Sequence, residues 1–396
     1  MTARTDADEL GLAAPFTVDE LVRAVLRWHF DPATGSPFWR DMARRLDFDP
    51  LRDVTGRADL ARFPDVSTAL TRVAVEELVP RGCAGERLRV FESGGTLGPP
   101  KRIVELGSRR RALDWVDSVL RRHGDARHTS DADRDRNGAD RTRGGADRNG
   151  GGADRNGGGG GHWLHVGPTG PHIVGRSVGL LAARHGATCC YVDFDPRWVR
   201  RVLADGDRAT ARAYIAHVLD QAEEVLRTQN VTVMFATPPV IEAACRRREL
   251  EKLLVKRLRL LIWSGTSIGD ETLRLLSEEI FPDIPVVGIY GNSLMGIAPQ
   301  RPRAADDEPA CVFQPYHPYA LVEVVDPERP ERAVGYGERG RVRVNLLTRD
   351  MFLPAVLERD TAIRVAPAAG YDGDGLAGIR PYTPAKAGGT LIEGVY

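Results

Sequence analysis

Residues 91–101 of the chain read Phe91-Glu92-Ser93-Gly94-Gly95-Thr96-Leu97-Gly98-Pro99-Pro100-Lys101. The segment follows a strand predicted over residues 87–91 and leads into the apolar pair Ile103-Val104. Glycines permit positive φ and close backbone approach, and the exposed N–H groups of such a loop can surround an anion. Hydroxyls and a terminal ammonium add donors, so the loop suits a phosphate, although its glycine spacing is not that of a Walker loop. The alternative interpretation is a Gly-Pro surface turn between two strands.

Composition excludes several classes of protein. A chain of 396 residues can bury a sizeable core, and 42% hydrophobic with 28% charged residues is ordinary for a globular protein. Lysine plus arginine and aspartate plus glutamate both number 55, so we expect neither a nucleic acid nor a membrane as partner. Five cysteines without a CxxC pair or zinc spacing fit a reducing cytosol. Without a signal peptide or a membrane-length apolar run, we expect a cytoplasmic protein.

Apolar periodicity predicts an α/β fold. Helices are predicted over 16–30, opened by Thr17, and over 39–46 and 67–78. Strands are then predicted over 163–166, 188–192, 231–235, 258–263 and 286–290, separated by helical segments. One of these helices, 271–281, has Asp270 as its predicted N-cap. Alternation of this kind predicts a parallel-rich sheet flanked by helices, with ligands beyond the carboxyl ends of its strands.

Two further regions differ in character. Residues 124–161 contain Gly-Ala-Asp-Arg at 138, 145 and 152 but no Leu, Ile, Val or aromatic residue. Such a segment predicts a disordered insertion without chemistry, or alternatively a tether for a partner. Strands predicted over 319–325 and 340–347 indicate a β-rich subdomain. We therefore divide the chain into a helical lead-in (1–80), an α/β nucleotide- and substrate-binding core (81–310) and a β-rich subdomain with its tail (311–396).

The segment 93–101 resembles the phosphate loop of the adenylate-forming enzymes, the ANL superfamily of acyl- and aryl-AMP synthetases. The family pattern is Ser/Thr-Ser/Thr-Gly-Thr-Thr-Gly-x-Pro-Lys. The matching residues are Gly95, Thr96, Gly98, Pro100 and Lys101. Gly94 and Leu97 stand where the family usually has hydroxyl residues.

Further segments follow in the order of that family. Ala236-Thr237-Pro238 and Ile262-Trp263-Ser264-Gly265-Thr266 resemble its nucleotide-pocket walls. Tyr290-Gly291-Asn292-Ser293-Leu294 resembles the Tyr-Gly-x-Thr-Glu motif. The stretch from Gly337 to Asp360 resembles the one that ends in the ribose-binding aspartate, since one carboxylate can accept bonds from two hydroxyls.

The resemblance implies a set of site residues. The catalytic residues it implies are Lys101, His172 and Ser293. The nucleotide-binding residues it implies are Ser93, Gly94, Gly95, Thr96, Gly98, Gly265, Thr266, Tyr290, Gly291, Asn292 and Asp360. The substrate residues it implies are Gly167, Pro168, His172, Thr237 and Pro238. In these roles Tyr290 stacks on adenine, Ser293 meets the α-phosphate and Asp360 holds the ribose.

His172 keeps two interpretations. It lies in a Gly-Pro turn after a predicted strand, where its imidazole could reach an acyl-phosphate or a substrate carboxylate. Alternatively, it caps the helix that begins near Val174.

The turns Gly167–His172 and Tyr290–Gly296 are similar to those of the phenazine antibiotic biosynthesis proteins, and the helical start resembles the phenylacetate–CoA ligase branch. This implies a ligase that uses ATP to activate an aromatic or other carboxylic acid as its acyl-adenylate. The acyl group would pass to a separate reductase, amide-forming enzyme or carrier protein.

The chain departs from the family pattern in two places. Leu294 stands where the family has a glutamate that contacts Mg²⁺, and a leucine offers no hard oxygen ligand. Mg²⁺ is still implied as a companion of ATP, but no protein ligand for it is predicted. The chain stops at Tyr396, so we expect it to lack the mobile C-terminal domain that forms thioesters. The alternative function is a nucleotide- or substrate-binding pathway partner that has lost catalysis.

Overall fold

The computed structural model describes residues 6–93, 100–137, 161–304, 307, 309 and 311–382. The predicted loop residues Gly94, Gly95, Thr96 and Gly98 lie outside the described residues, as do 138–160 and the tail 383–396.

Short helices open the chain. They are α1 (Asp6–Glu9), α2 (Val18–Phe30), α3 (Pro37–Ala43), α4 (Pro50–Asp53) and α5 (Val75–Leu78), with 3-10 turns at Arg57–Arg62, Ala69–Thr71 and Arg81–Cys83. Thr17 caps α2 in a capping box with Glu20, as its sequence predicts. The predicted helix 67–78 is wrong, because the backbone is extended at Ala74. Burial of Leu70 and Leu78 in one apolar cluster outweighs local helix propensity there.

A hairpin and a long helix follow. Strands β1 (Arg89–Glu92) and β2 (Arg102–Glu105) pair antiparallel, with Glu92 opposite Arg102. The 93–101 segment therefore connects the two strands of this hairpin. Helix α6 (Ser108–Asn137) runs beyond its predicted end at 122 and into the first part of the predicted disordered insertion.

A six-stranded sheet forms the centre of the fold. Its strands are β3 (His162–Gly167), β4 (Cys189–Asp193), β5 (Val231–Ala236), β6 (Leu260–Ser264), β7 (Val286–Asn292) and β8 (Gly296–Pro299). They lie in the order β4-β3-β5-β6-β7-β8, and every pairing is parallel except that of β7 with β8. The parallel-rich α/β prediction is confirmed.

Helices cover both faces of this sheet. Between its strands lie α7 (Ile173–Arg184), α8 (Pro196–Ala204), α9 (Arg208–Thr228), α10 (Pro238–Cys245), α11 (Arg248–Arg257) and α12 (Asp270–Arg274), which continues as a π-helical turn over Leu275–Ile280. Helices α6 and α7 pack on one face, and α9 to α12 contribute to a separate apolar cluster on the other. The predicted N-cap at Asp270 is wrong by one residue: Gly269 has the cap conformation, and Asp270 lies in the first turn, where its charge favours the helix dipole.

The strand order reverses beside β3. The chain leaves β3 for β4 on one side and returns to β5 on the other, which is a doubly wound topology. Ligands in such sheets bind at the carboxyl ends of the strands that flank the reversal. That rule directs attention to the turns after Gly167 and Ala236.

A second, antiparallel sheet forms the β-rich part. Its strands are β9 (Val312–Phe313), β10 (Ala320–Val325), β11 (Arg339–Leu347), β12 (Phe352–Val365) and β13 (Gly375–Pro381), in the order β10-β11-β12-β13-β9. The β-rich character was predicted, but β9 and β12 were missed, and so was β13. Its strand pattern is interrupted by Gly378 at positive φ and by a shift of register against β12.

The two sheets share one apolar core. A single cluster contains Leu261 and Trp263 of β6 together with Phe313, Val342 and Leu376 of the antiparallel sheet. The predicted domain boundaries stay predictions. Among the described residues, no helix combines the length and apolar character needed to cross a membrane.

Candidate functional site

Glu92, at the end of β1, joins three of the predicted site segments. Its backbone N–H donates to the Pro171 carbonyl at 3.0 Å, and its own carbonyl accepts from the Ser293 hydroxyl at 3.3 Å. Its carboxylate lies 3.8 Å from an Arg197 guanidinium nitrogen and 3.7 Å from one of Arg102. The start of the 93–101 segment, the turn before α7 and the turn after β7 therefore meet at one point, which we call the Glu92 junction.

Ser93 and Lys101 close the base of the connecting loop. The Ser93 N–H donates to the Lys101 carbonyl at 3.0 Å, and the Lys101 N–H donates to the Ser93 hydroxyl at 2.9 Å. Burial lowers the pKa of the Lys101 ammonium, while the nearby charge of Glu358 opposes that shift. The two ends of the loop are thus held together, with Lys101 beside the Glu92 junction.

His172 occupies the N-cap position of α7 in extended conformation, but its side chain makes no capping hydrogen bond. Its Nε2 instead lies 3.2 Å from Nη2 of Arg197, which donates. Burial lowers the pKa of His172, and the positive charge of Arg197 lowers it further. The imidazole is therefore favoured in its neutral form, able to accept a hydrogen bond at the Glu92 junction.

Strand β4 fixes the turn that carries His172. The Asp193 carboxylate accepts from the Thr169 N–H at 2.9 Å and from its hydroxyl at 2.6 Å. Beneath the turn, His165 Nε2 lies 3.3 Å from the Pro168 carbonyl, and burial lowers the pKa of His165 to about 4. A Cβ at Gly167 would lie 2.8 Å from the His165 ring, so only glycine fits there without movement.

Thr237 and Pro238 lie beside that turn across the strand reversal. Val166 of β3 pairs with Ala236 of β5, so the residues that follow each strand share one edge of the sheet. Thr237 is buried at the N-cap position of α10, and its side chain makes no capping bond. Pro238 occupies the first turn of the helix. The predicted substrate residues therefore line the topological switch point.

Tyr290 and Asp360 meet although they belong to different sheets. The Tyr290 hydroxyl donates to Asp360 Oδ2 at 2.9 Å, which links β7 to β12. The Tyr290 ring lies 5.9 Å from that of Phe313, and Phe313 lies 5.9 Å from the Trp263 ring. Burial raises the pKa of Asp360, and the hydrogen bond from Tyr290 opposes that rise.

Gly265 and Thr266 follow β6 at the same edge of the sheet. Gly265 has φ +94, a left-handed conformation that glycine adopts readily. The Thr266 hydroxyl and the Trp263 indole nitrogen are buried and have no hydrogen-bond partner among the described residues. Buried polar atoms are normally satisfied, so these two groups are available to hydrogen-bond a ligand or water.

Gly291 and Asn292 end β7, where the strand pairs closely with β8. Gly291 stands opposite Ile297, and Asn292 stands opposite Gly296. A Cβ at Gly291 would clash with the Gly296 carbonyl, so the hairpin requires glycine at this position.

Arg109 is a site residue that the sequence interpretation missed. Its Nη2 donates to the Ser293 carbonyl and so fixes the turn after β7. Burial lowers the pKa of Arg109 to about 10, and the charges of Glu105 and Asp350 oppose that shift. A usable signal was present, because the run of arginines at 109–111 opposes the dipole in the first turn of α6. Glu92 and Arg197 were also missed, and no local pattern marks them.

Leu294 is buried in an apolar cluster with Ile103 and Val104. The side chain therefore offers nothing to a metal ion. Within the part of the chain that the structure describes, no group of three or more His, Cys, Asp and Glu side chains is placed to hold one.

Comparison with known proteins identifies the fold. No family model matches the chain, and no curated protein matches its sequence. Its structure is similar to an open conformation of 2-hydroxyisobutyryl-CoA ligase in complex with 2-HIB-AMP and CoA, with TM-score 0.60 and 15% identity over 92% of this chain and 69% of that one. The same ligase in the postadenylation state with R3-HIB-AMP gives TM-score 0.56 and 15% identity over 88% of this chain and 62% of that one. The same ligase in the thioesterification state with 2-HIB-AMP and CoA gives TM-score 0.55 and 16% identity, over 88% of this chain and 63% of that one.

At this level of identity the similarity shows the fold alone, which is similar to that of 2-hydroxyisobutyryl-CoA ligase. The chain spans 62% to 69% of the length of those ligase structures.

Proposed function

We propose that the chain uses ATP to activate a carboxylic acid as its acyl-adenylate, with release of pyrophosphate. The proposal rests on the hydrogen bond between the Tyr290 hydroxyl and Asp360. Tyr290 lies three residues before Ser293, whose hydroxyl donates to the Glu92 carbonyl at the Glu92 junction. This arrangement brings the proposed base, ribose and phosphate contacts to one edge of the central sheet. The similarity in fold to a ligase solved with an acyl-adenylate supports the same chemistry.

Asp360 is the proposed ribose ligand. Its Oδ2 is held by the Tyr290 hydroxyl, so the carboxylate is oriented before any nucleotide arrives. Charge-assisted bonds from two ribose hydroxyls would stabilise the ionised form, which burial disfavours. The Tyr290 ring, supported by Phe313, is the proposed adenine contact.

The proposed reaction is an in-line displacement. A carboxylate oxygen attacks the α-phosphorus, the new C–O–P linkage forms, and the bond to the pyrophosphate oxygen breaks. Such a step needs positioning and neutralisation of charge more than covalent help. In this scheme Ser293 and His172 contact the α-phosphate and the incoming carboxylate, while Lys101 and the 93–101 loop contact the β- and γ-phosphates. Arg109 positions Ser293 through its carbonyl.

The acid would lie at the topological switch point. Its proposed walls are the Gly167–His172 turn, Thr237 with Pro238, and Gly265 with Thr266, all at carboxyl ends of parallel strands. The unsatisfied Thr266 hydroxyl is a ready polar contact for a bound ligand. We further propose that the acyl group passes to a separate reductase, amide-forming enzyme or carrier. A phenazine-type pathway is suggested by the resemblance of the Gly167–His172 and Tyr290–Gly296 turns.

Mg²⁺ would accompany ATP through phosphate oxygens and water. Leu294 is packed among apolar side chains and supplies no oxygen ligand, so the protein would contribute less to metal binding than a glutamate would.

ATP–pyrophosphate exchange tests the proposal. The full chain is assayed with a panel of aromatic, aliphatic and 2-hydroxy acids, including 2-hydroxyisobutyrate. We expect exchange that depends on at least one acid and is lost in Ser293→Ala and Asp360→Asn, but kept in Asp372→Asn, an exposed aspartate of the same sheet region. Absence of both exchange and AMP binding would contradict the proposal.

The second candidate is a nucleotide-binding pathway partner without catalysis. The buried, apolar Leu294 is the observation that favours it. AMP binding that requires Asp360, without exchange for any acid, would select this candidate over the first.

A further inference from the structure

A groove of about 800 Å³ opens on the α7 side of the central sheet. Its walls come from β1, the turn before α7, α7 itself and β4. Helix α7 packs in a different apolar cluster from α10, so the groove lies on the opposite face from Thr237 and Pro238. It meets the turn before α7 at Thr169, Gly170 and His172.

Two arginines give the groove an excess of positive charge. Arg89 comes from β1 and Arg176 from α7. Arg89 lies 3.8 Å from the Glu105 carboxylate, whereas Arg176 has no hydrogen bond or ion pair within 4 Å among the described residues. Both side chains line the same groove, and burial lowers the pKa of Arg176, with the positive charge of Arg89 lowering it further.

Glu105 forms the base of this cluster. It stands opposite Arg89 in the β1–β2 hairpin, and its side chain is only 5% exposed. Its Oε2 is buried and has no hydrogen-bond partner among the described residues. The Glu105 carboxylate thus lies within 4 Å of Arg89, and Arg176 leaves the groove with an excess of positive charge.

The rest of the lining is largely apolar. Phe91 and Leu180 lie in its wall, and Tyr191, 48% exposed, forms its outer side. A Cβ at Gly179 would clash with the Tyr191 hydroxyl, so glycine allows the tyrosine to lie against α7. A cationic pair beside aromatic and aliphatic surface fits a ligand with an anionic head and an apolar body.

We propose that this groove binds a small organic anion, a carboxylate or phosphate joined to an apolar body. Arg89 and Arg176 hold the head, and Phe91, Leu180 and Tyr191 contact the body. The groove shares the turn Thr169–His172 with the proposed acid site, but Arg89, Arg176, Leu180 and Tyr191 have no part in the proposed adenylation, so ligand binding here does not depend on it.

Arginine labelling with phenylglyoxal, mapped residue by residue with mass spectrometry, tests the site on the full chain without ATP. The probes are acetate, hexanoate and inorganic phosphate. We expect hexanoate to protect Arg89 and Arg176 at concentrations at least about tenfold lower than acetate, because each buried methylene contributes about fourfold. Arg212, an exposed arginine on α9, should react at the same rate throughout. The phosphate arm shows whether the head can also be a phosphate.

Two variants should change hexanoate protection of the groove arginines in opposite directions. Arg176→Gln should weaken hexanoate protection of Arg89 by about tenfold, the usual effect of losing a charge-assisted hydrogen bond. Glu105→Gln keeps the volume but removes the competing carboxylate, so protection should strengthen by roughly twofold to fivefold. Arg212→Gln serves as the matched control, and circular dichroism and melting temperature verify folding of each variant.

Failure of hexanoate to protect Arg89 and Arg176 would overturn the proposal, as would equal protection of Arg212 or no advantage over acetate. Weaker binding in a folded Glu105→Gln would overturn the electrostatic argument. Because labelling needs no catalysis, these outcomes are independent of the exchange assay.

Discussion

Asp360 illustrates a single residue whose surroundings oppose its proposed role. Burial raises its pKa, so the folded apo protein favours the protonated form more than the unfolded chain does. At pH values just above the ordinary pKa of an aspartate, the folded state therefore binds more protons than the unfolded state. The free energy of unfolding falls as the pH rises through that interval. Below the ordinary pKa of an aspartate this cost is absent. A ligand whose two hydroxyls donate hydrogen bonds to the ionised carboxylate would offset this cost, so nucleotide affinity should depend on pH.

Asp360→Asn should separate affinity from stability. Loss of charge-assisted bonds should weaken AMP binding by roughly tenfold to a hundredfold, measured by calorimetry at neutral pH. The melting temperature of the apo protein should stay level or rise at neutral pH, because the cost of ionisation is gone, and the gain should vanish below about pH 4. Asp372→Asn is the control. Unchanged AMP affinity in Asp360→Asn would exclude the ribose role.

His172 and Arg197 provide a second test at this scale. The pKa of His172 is lowered by burial and then by the Arg197 guanidinium 3.2 Å away. In Arg197→Gln the pKa of His172 should rise, because a like charge has been removed while burial remains. Histidine ring protons followed by NMR over pH report this directly, with Arg212→Gln as the comparison. An unchanged or lower His172 pKa would show that the two side chains do not interact in solution.

Helix α6 depends on a remote residue for its start. The Asp350 carboxylate accepts from the N–H groups of Leu106, Gly107 and Ser108 at 2.7, 2.8 and 3.0 Å, and from the Ser108 hydroxyl at 2.8 Å. Helix N-termini leave such donors unsatisfied unless a side chain accepts from them. The same first turn carries Arg109, which holds the Ser293 carbonyl. The loop between β11 and β12 therefore helps to position the proposed phosphate contact.

Asp350→Ala should destabilise the protein by about 3 kcal/mol, because several buried N–H groups lose their acceptor. Urea unfolding measures the change. Asp207→Ala, which removes the exposed N-cap of α9, should cost only about 1 kcal/mol. Exchange activity should fall in Asp350→Ala even where the variant remains folded, since Arg109 would lose its position. Equal costs for the two variants would contradict this account of α6.

The whole molecule is organised around an apolar core that both sheets share. Phe313, on the two-residue strand β9, touches Trp263 of the central sheet and Tyr290 beside the proposed site. A second cluster joins the N-terminal helices to β12, where Phe352 meets Phe30, Trp39 and Phe63. This packing favours a single cooperative unit over independently folding parts.

Phe313→Ala should destabilise the protein by about 3–5 kcal/mol and weaken AMP binding, because a cavity opens beneath Tyr290. Phe313→Leu, which keeps most of the volume, should cost less. Far-ultraviolet circular dichroism and tryptophan fluorescence should report one coincident urea transition in the native chain and in both variants. Two separated transitions would instead support independent domains near the predicted boundary at 310–311.

The amino-acid sequence alone was sufficient for the class of fold and for most of the strands of the central sheet. Buried parallel strands such as β6 are nearly continuous apolar runs, and the period changes to 3.6 in the helices between them. The resemblance at residues 93–101 and Tyr290–Leu294 also indicated the edge of the sheet where the proposed site residues meet. These signals are local, so they survive without knowledge of the packing.

Only the tertiary structure decided which side chains meet. Tyr290 and Asp360 are 70 residues apart, and Arg109 reaches Ser293 across 184. Glu92 joins Pro171, Arg197 and Ser293 through partners on separate elements. The groove beside Arg176 likewise exists only because β1, α7 and β4 come together around it. Such contacts depend on how helices and sheets pack over long sequence separations, and periodicity within a single element contains no information about them.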